Sequence, residues 1–335
     1  MGRHNEGEYA FSCAVIRSNE RTLLSGSDLQ RVLDAKQFSS ALTVMGEFGY
    51  GNSKETVEPA AFEKVLRAEL DRVYKLVFSI VPDRQELELF LFQNDYHNIK
   101  VLLKSEFLKL DPAPLLVDTG RIEPEKLEAM IKERNFLFLP EELKISIEEA
   151  IDTFGKNRDP QEIDIILDKA CYKDMLAAAE ETKNEFIIGY VRLLIDILNI
   201  NTFIRLREIG KDWTFFKKVF LEGGQVEKSF FMNAFEKSYQ QLADEMSSHG
   251  YSELFSVGAE AIVKTKKYTA LEKLGDDMRM KYAKSSRFIT MGIEPVLSFL
   301  IAKEGEIKNL RVILAGKLSG TDAEIIRERL RETYV

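Results

Sequence analysis

One short pattern falls three times along this chain, about a hundred residues apart, and it restricts the fold more than any single residue does. Asp95-x-x-Asn98-Ile99-Lys100 is followed by Asp196-x-x-Asn199-Ile200-Asn201 and then by Glu306-x-x-Asn309-Leu310-Arg311. Each copy is a carboxylate, an asparagine three residues on, an aliphatic residue and a polar one. Each then enters a largely apolar triplet: Val101-Leu102-Leu103, Thr202-Phe203-Ile204 and Val312-Ile313-Leu314. Self-similarity at a fixed period marks a body assembled from repeated units.

The repeats extend beyond that pattern. Leu116-Val117-Asp118-Thr119-Gly120-Arg121-Ile122-Glu123 matches Phe220-Leu221-Glu222-Gly223-Gly224-Gln225-Val226-Glu227 at an offset of 104 residues. Both run from an apolar pair through a glycine turn into a new helix. Leu70-Asp71-Arg72 resembles Leu167-Asp168-Lys169 upstream. The third unit lacks that last helix after a glycine turn, because the chain ends soon after Gly320. Leu23-Leu24-Ser25-Gly26-Ser27-Asp28, near the other end of the chain, has the required character. The expected division is therefore 58–158, 159–262 and 263–335, with residues 9–57 completing the third unit and closing a cupped body.

Helical periodicity dominates. Residues 61–79 set Phe62, Val65, Leu66, Leu70, Val73, Tyr74 and Val77 on one stripe, and 161–176 do so with Ile163, Ile166, Leu167, Ala170 and Leu176. Breakers separate the segments at Asp111-Pro112-Ala113-Pro114, Phe138-Leu139-Pro140, Asp159-Pro160, Gly223-Gly224 and Glu294-Pro295. The fold class read from this is all-α.

With 335 residues, 45% hydrophobic and 30% charged, the chain can bury two or three cores. A net charge of −8 argues against a nucleic-acid partner, which needs a concentrated basic face. Two cysteines, Cys13 and Cys171, fit a reducing compartment without a disulfide framework. The polar start, Met1-Gly2-Arg3-His4-Asn5-Glu6, leads into no apolar signal core. The apolar stretch Phe186–Leu206 is interrupted by Arg192, Asp196, Asn199 and Arg205, so it reads as a buried helix rather than a membrane span.

A search for chemistry finds no catalytic, cofactor or metal site. A phosphate loop fails because Gly316-Lys317 is followed by Leu318 and position 311 is Arg. Gly46-Glu47-Phe48-Gly49-Tyr50-Gly51 reads as a turn, and Asp276-Asp277 as a solvated helix end lacking a third carboxylate. His97 has no second His or Cys at ligand spacing. The polar positions that stand out are Asp95, Asn98, Arg192, Asp196, Asn199, Glu306 and Asn309. On a helix Arg192, Asp196 and Asn199 share a face, and a polar stripe on an apolar helix must be paired. It either fixes helix crossings or lines a central polar cavity. The Asn199 helix is expected to be buried; the Asn309 helix, with Lys303, Glu304, Lys308 and Arg311, is expected to be partly exposed.

Two long segments carry a family likeness. Tyr190-Val191-Arg192-Leu193-Leu194-Ile195-Asp196-Ile197-Leu198-Asn199-Ile200 and the run from Ala302-Lys303-Glu304-Gly305-Glu306 to Leu314-Ala315-Gly316-Lys317 resemble the C subunit of bacterial and archaeal V/A-type rotary ATPases. Its equivalent in eukaryotic vacuolar ATPases is the d subunit. The likeness implies an all-helical funnel of three pseudo-symmetric units, seated on the cytoplasmic side of a membrane-bound complex. It implies a non-catalytic rotor adaptor between the central-stalk subunits and the membrane proteolipid ring, binding no nucleotide or nucleic acid and serving proton or sodium transport. The competing reading is a free-standing helical scaffold or small-ligand enzyme that uses a central cavity.

Overall fold

The computed structural model describes residues 6–51 and 62–335. Those residues form α-helices joined by turns and short 3-10 or π segments, with no strand among them. The all-α expectation is met. Two compact units emerge, one from Met1–Pro82 with Ser238–Val335 and the other from Asp83–Lys237.

The first unit begins with α1 (Ala10–Glu20), α2 (Gly26–Asp34), α3 (Phe38–Glu47) and α4 (Phe62–Ile80). The second holds α5 (Gln85–Glu88), α6 (Phe92–Leu108), α7 (Pro124–Glu133), α8 (Glu141–Asn157), α9 (Pro160–Thr182), α10 (Glu185–Glu208), α11 (Trp213–Val219) and α12 (Lys228–Ala234). The chain then returns to the first with α13 (Tyr239–Glu245), α14 (Glu260–Thr265), α15 (Thr269–Lys284), α16 (Ile293–Leu318) and α17 (Ala323–Glu328).

Most breakers act where the sequence puts them, although Glu294-Pro295 falls inside the first turn of α16 and not before it. Asp159 accepts from the Gln161 amide at 2.9 Å and Pro160 opens α9, a side-chain cap followed by a residue that needs no helical donor. The glycines after α3 turn the chain, Gly49 at φ 88° and Gly51 at φ 72°. The stripe expected on α9 is shifted, since its buried residues are Ile163, Leu167, Cys171, Met175 and Ala179. Spacing by four throughout selects a narrower face than the sequence pattern had outlined.

In the second unit α10 is the core helix, burying Tyr190, Val191, Ile195, Ile200, Phe203 and Ile204. Glu185–Glu208 is long and apolar enough to cross a membrane by length and composition, yet 67% of its apolar window is buried against the rest of the chain. In the first unit α16 plays the same part. Ile307, Leu310, Ile313 and Leu314 pack with Leu29, Val32, Leu33, Met45 and Leu66.

That packing refines one reading and corrects another. The Asn309 helix is partly exposed, with the side chains of Glu304, Lys308 and Arg311 32%, 41% and 44% exposed, but Asn309 itself is 1% exposed, as Asn199 is, and Lys303 is buried at 2%. Apolar residues surround its inner half, where Lys303 pairs with Glu306. Asp276-Asp277 is not a solvated helix end. It lies inside α15, where Asp276 meets Arg331 at 3.0 Å and Asp277 accepts the Glu332 amide at 2.6 Å.

Candidate functional site

The three repeated motifs lie on α6, α10 and α16, and each holds a returning stretch of backbone. On α6 the Asn98 amide donates to the Val117 carbonyl at 2.8 Å, and its oxygen accepts the Val117 N–H at 2.9 Å. Asn199 does the same with Leu221, at 2.8 and 2.9 Å. Asn309 does it with Arg331, at 3.1 and 2.8 Å. Asparagine suits the position because it alone of the short side chains offers a donor and an acceptor side by side.

The carboxylate one turn earlier takes the amides that follow. Asp95 accepts the N–H groups of Arg121 at 2.9 Å and Ile122 at 3.2 Å, and its other oxygen pairs with the Arg121 guanidinium at 2.7 Å. Asp196 accepts from Gln225 and Val226, both at 3.0 Å. Glu306 accepts from Leu24, which belongs to the other end of the chain. Ile122, Val226 and Leu24 hold one structural position, since each directly precedes the N-cap residue of the next helix, α7, α12 or α2.

Carboxylate length follows the turn it grips. A Cβ added to Gly120 would lie 2.5 Å from Asp95 Oδ1, and one on Gly224 would overlap Asp196 Oδ1. These two turns come close enough for the short aspartate arm only because glycine leaves the space. The corresponding residue before Leu24 is Thr22, and the carboxylate there is the longer glutamate.

Glu306 also does more than its counterparts. It receives the Tyr50 hydroxyl and the Lys303 ammonium, the latter at 2.6 Å. Lys303 reaches Glu69 at 3.4 Å, and Arg72 pairs with Glu69 at 2.7 Å. One buried carboxylate thus holds both ends of the α2–α3 hairpin, Leu24 before it and Tyr50 after it. Burial, reinforced by Glu306, pushes the Tyr50 hydroxyl well above its usual range, so it remains a donor. Burial acts to raise the Glu69 pKa, but Arg72 and Lys303 outweigh it and hold that carboxyl below its ordinary value. At Asp95 burial wins and the pKa is raised despite Arg121 and the two amides.

Arg192 does not join Asp196 and Asn199. Its side chain, 41% exposed, reaches Glu180 at 3.3 Å, an exposed pair contributing at most about 1 kcal/mol. His97 turns to the Leu115 carbonyl at 3.0 Å, and no group of three metal-ligating side chains occurs among the described residues. Both cysteines are buried and free, and burial pushes both thiols up, leaving them unreactive near neutrality. Sequence reasoning missed Lys303 and Tyr50 as partners of Glu306, and Glu69 as a partner of Lys303. It also missed the clamp role of Val117, Leu221 and Arg331: Val117 and Leu221 share a place in the repeated turn, but all three contribute only backbone atoms, which mark no role in the sequence.

A family model of the ATP synthase (C/AC39) subunit matches residues 12–329. The chain belongs to that family. The C subunit of the A-type ATP synthase from Methanocaldococcus jannaschii is 25% identical to it, the alignment covering 96% of this chain and 86% of the relative. The C subunit of the V-type sodium ATPase from Enterococcus hirae is 24% identical, over 98% of this chain and 99% of the relative. The A-type ATP synthase C subunit of a Desulfurococcus species is 26% identical, over 96% and 90%. As a member of the C/AC39 family the protein is a component of a membrane-associated ATPase complex, and its partners lie within that complex.

Proposed function

We propose that this C/AC39 protein is a non-catalytic rotor adaptor, joining the central stalk to the proteolipid ring on the cytoplasmic side and passing torque between them. The observation that carries the reading is the recurrence of one backbone clamp on α6, α10 and α16. The buried polar atoms of Asp95, Asn98, Asp196, Asn199, Glu306 and Asn309 are spent on the chain's own backbone and interior partners, and none of these six side chains keeps a buried polar atom without a partner. Such groups fix how a helix and its returning segment meet, and close-packed interiors transmit strain instead of absorbing it. Torque transfer needs that stiffness and needs no active site.

The same recurrence supports a reading of three units, 58–158, 159–262, and 263–335 completed by residues 9–57, arranged as a pseudo-symmetric funnel. Glu306 and Asn309 then close the third unit by gripping segments from the two ends of the chain. Asp95, Asn98, Asp196 and Asn199 serve the other two, and Arg192 contributes only at the surface.

A bridging experiment tests the reading. Isolated stalk proteins and detergent-solubilised ring are passed together over a sizing column with and without this chain. Co-elution of stalk and ring only in its presence is expected. Stable stalk–ring assembly without it would remove the adaptor role.

A further inference from the structure

Residues 278–293 run without a single carboxylate, the longest such stretch in a chain of net charge −8, and they carry Arg279, Lys281, Lys284 and Arg287. They cover the end of α15, the turn Ser285–Phe288 and the lead into α16. At the tip Phe288 is 96% exposed, more than any other large apolar side chain among the described residues, and Met291 beside it is 43% exposed. The turn is braced from behind by α1. Arg17 donates to the Ile289 carbonyl at 2.7 Å, and the Cys13 thiol to the Gly292 carbonyl at 3.3 Å. α1 also carries Phe11, itself well exposed.

The charges differ in how far they are neutralised. Arg279 meets Glu304 at 3.2 Å, Lys284 pairs with Glu332, and Arg17 pairs with Glu20 at 2.8 Å. Arg287 has no carboxylate partner among the described residues: its guanidinium donates to the Tyr334 carbonyl and lies 4.9 Å from that ring's centroid. Lys281, exposed and two turns before Phe288, forms no ion pair among the described residues.

A single exposed apolar residue needs no explanation. A projecting aromatic with a methionine beside it, cations behind it and no acid in the segment matches a layered surface, anionic outside and apolar beneath. Another exposed apolar turn offers a contrast. Leu137 and Phe138 are 78% and 84% exposed, but the charges within four residues of them, Glu133, Arg134, Glu141 and Glu142, leave a net acidic turn, whereas Lys284, Arg287 and Glu294 around Phe288 and Met291 leave a net basic one.

We infer that the turn from Arg287 to Met291 is a lipid-contacting prong, placing Phe288 and Met291 at the acyl boundary while Lys281 and Arg287 meet anionic phospholipid headgroups. This goes beyond the adaptor reading and does not depend on it, because partition of the isolated chain is measured without stalk or ring. Each such cation near an anionic leaflet strengthens partition about fivefold, and burial of the Phe288 ring about tenfold.

Flotation of the full chain with phosphatidylglycerol-containing vesicles, against phosphatidylcholine alone, tests it. Partition is expected only with the anionic vesicles, falling about tenfold in Phe288→Ala and about fivefold in Lys281→Gln, and weakening with salt. Phe138→Ala should partition as the parent does, and circular dichroism should confirm that each variant is folded. The proposal is overturned by equal partition into neutral vesicles, by no partition at all, or by an equal loss in Phe138→Ala. Loss of binding to detergent-solubilised ring in Phe288→Ala, without any vesicle binding by the parent, would equally overturn it by making the prong a protein contact.

Discussion

Replacing Asn199 or Asn309 by leucine should destabilise the protein by similar amounts. The substitution keeps the side chain's size and removes both of its hydrogen bonds. In Asn199→Leu the N–H and C=O of Leu221, now paired at 2.9 and 2.8 Å, lose their partner inside a buried site. Each stranded group costs about 1–3 kcal/mol, and the added apolar contact offsets part of that, leaving about 2–4 kcal/mol. Asn309→Leu strands the same two groups of Arg331, paired at 2.8 and 3.1 Å, and both asparagines are 1% exposed. For cooperative units of this size the cost corresponds to a fall in Tm of about 5–15 °C. Melts followed by circular dichroism read both variants. Emission from Trp213, the only tryptophan in the chain and a residue of the second unit, reports the Asn199 variant separately. A near-parental melt for Asn309→Leu beside a large loss for Asn199→Leu would refute the equal burial on which the estimate rests.

Gly120→Ala and Gly224→Ala should each cost about 1–3 kcal/mol in denaturant unfolding, because the new methyl displaces Asp95 or Asp196 from its amides, whereas Thr22→Gly, at the corresponding place facing a longer glutamate, should cost less than about 1 kcal/mol; equal costs at all three would break the match between arm and turn. Acid should weaken the first unit before the second. Glu69 has a depressed folded pKa, so its stabilisation is present above the ordinary carboxylate value and is lost as pH falls through the folded one. Asp95 and Asp174 have raised folded pKa values, with burial the main cause. They cost stability as pH rises through the window between the ordinary and raised values, and acidification restores it. Helix content should therefore begin to fall at a higher pH than Trp213 emission changes, and coincident or reversed transitions would count against this assignment.

Much of the architecture was legible in the sequence because its repeats are written in side chains. Asp95, Asn98, Asp196, Asn199, Glu306 and Asn309 announce themselves at fixed spacing, and the turns at Gly120 and Gly224 match at a fixed offset. Their partners were not legible. Val117, Leu221 and Arg331 offer peptide groups that any residue supplies, so Arg331, which stands 22 residues after Asn309 as Leu221 does after Asn199, carries no mark of its role. Lys303 reads as a surface charge on a helix rich in charge, and only the convergence of Tyr50, Glu69 and Glu306 from distant parts of the chain accounts for its burial. Arg192 shows the opposite failure. Helical spacing puts it in line with Asp196, but a long flexible side chain at the edge of a buried stripe reaches solvent at lower cost than an interior partner.

Coupling is the property on which the adaptor reading stands or falls. Membrane vesicles carrying the ATPase complex depleted of this chain can be assayed for ATP hydrolysis and ion uptake in the same preparation, before and after the purified chain is added back. Hydrolysis by the soluble head should persist without it, ion uptake should be abolished, and add-back should restore uptake. Full ion uptake in its absence would contradict the rotor-adaptor role outright.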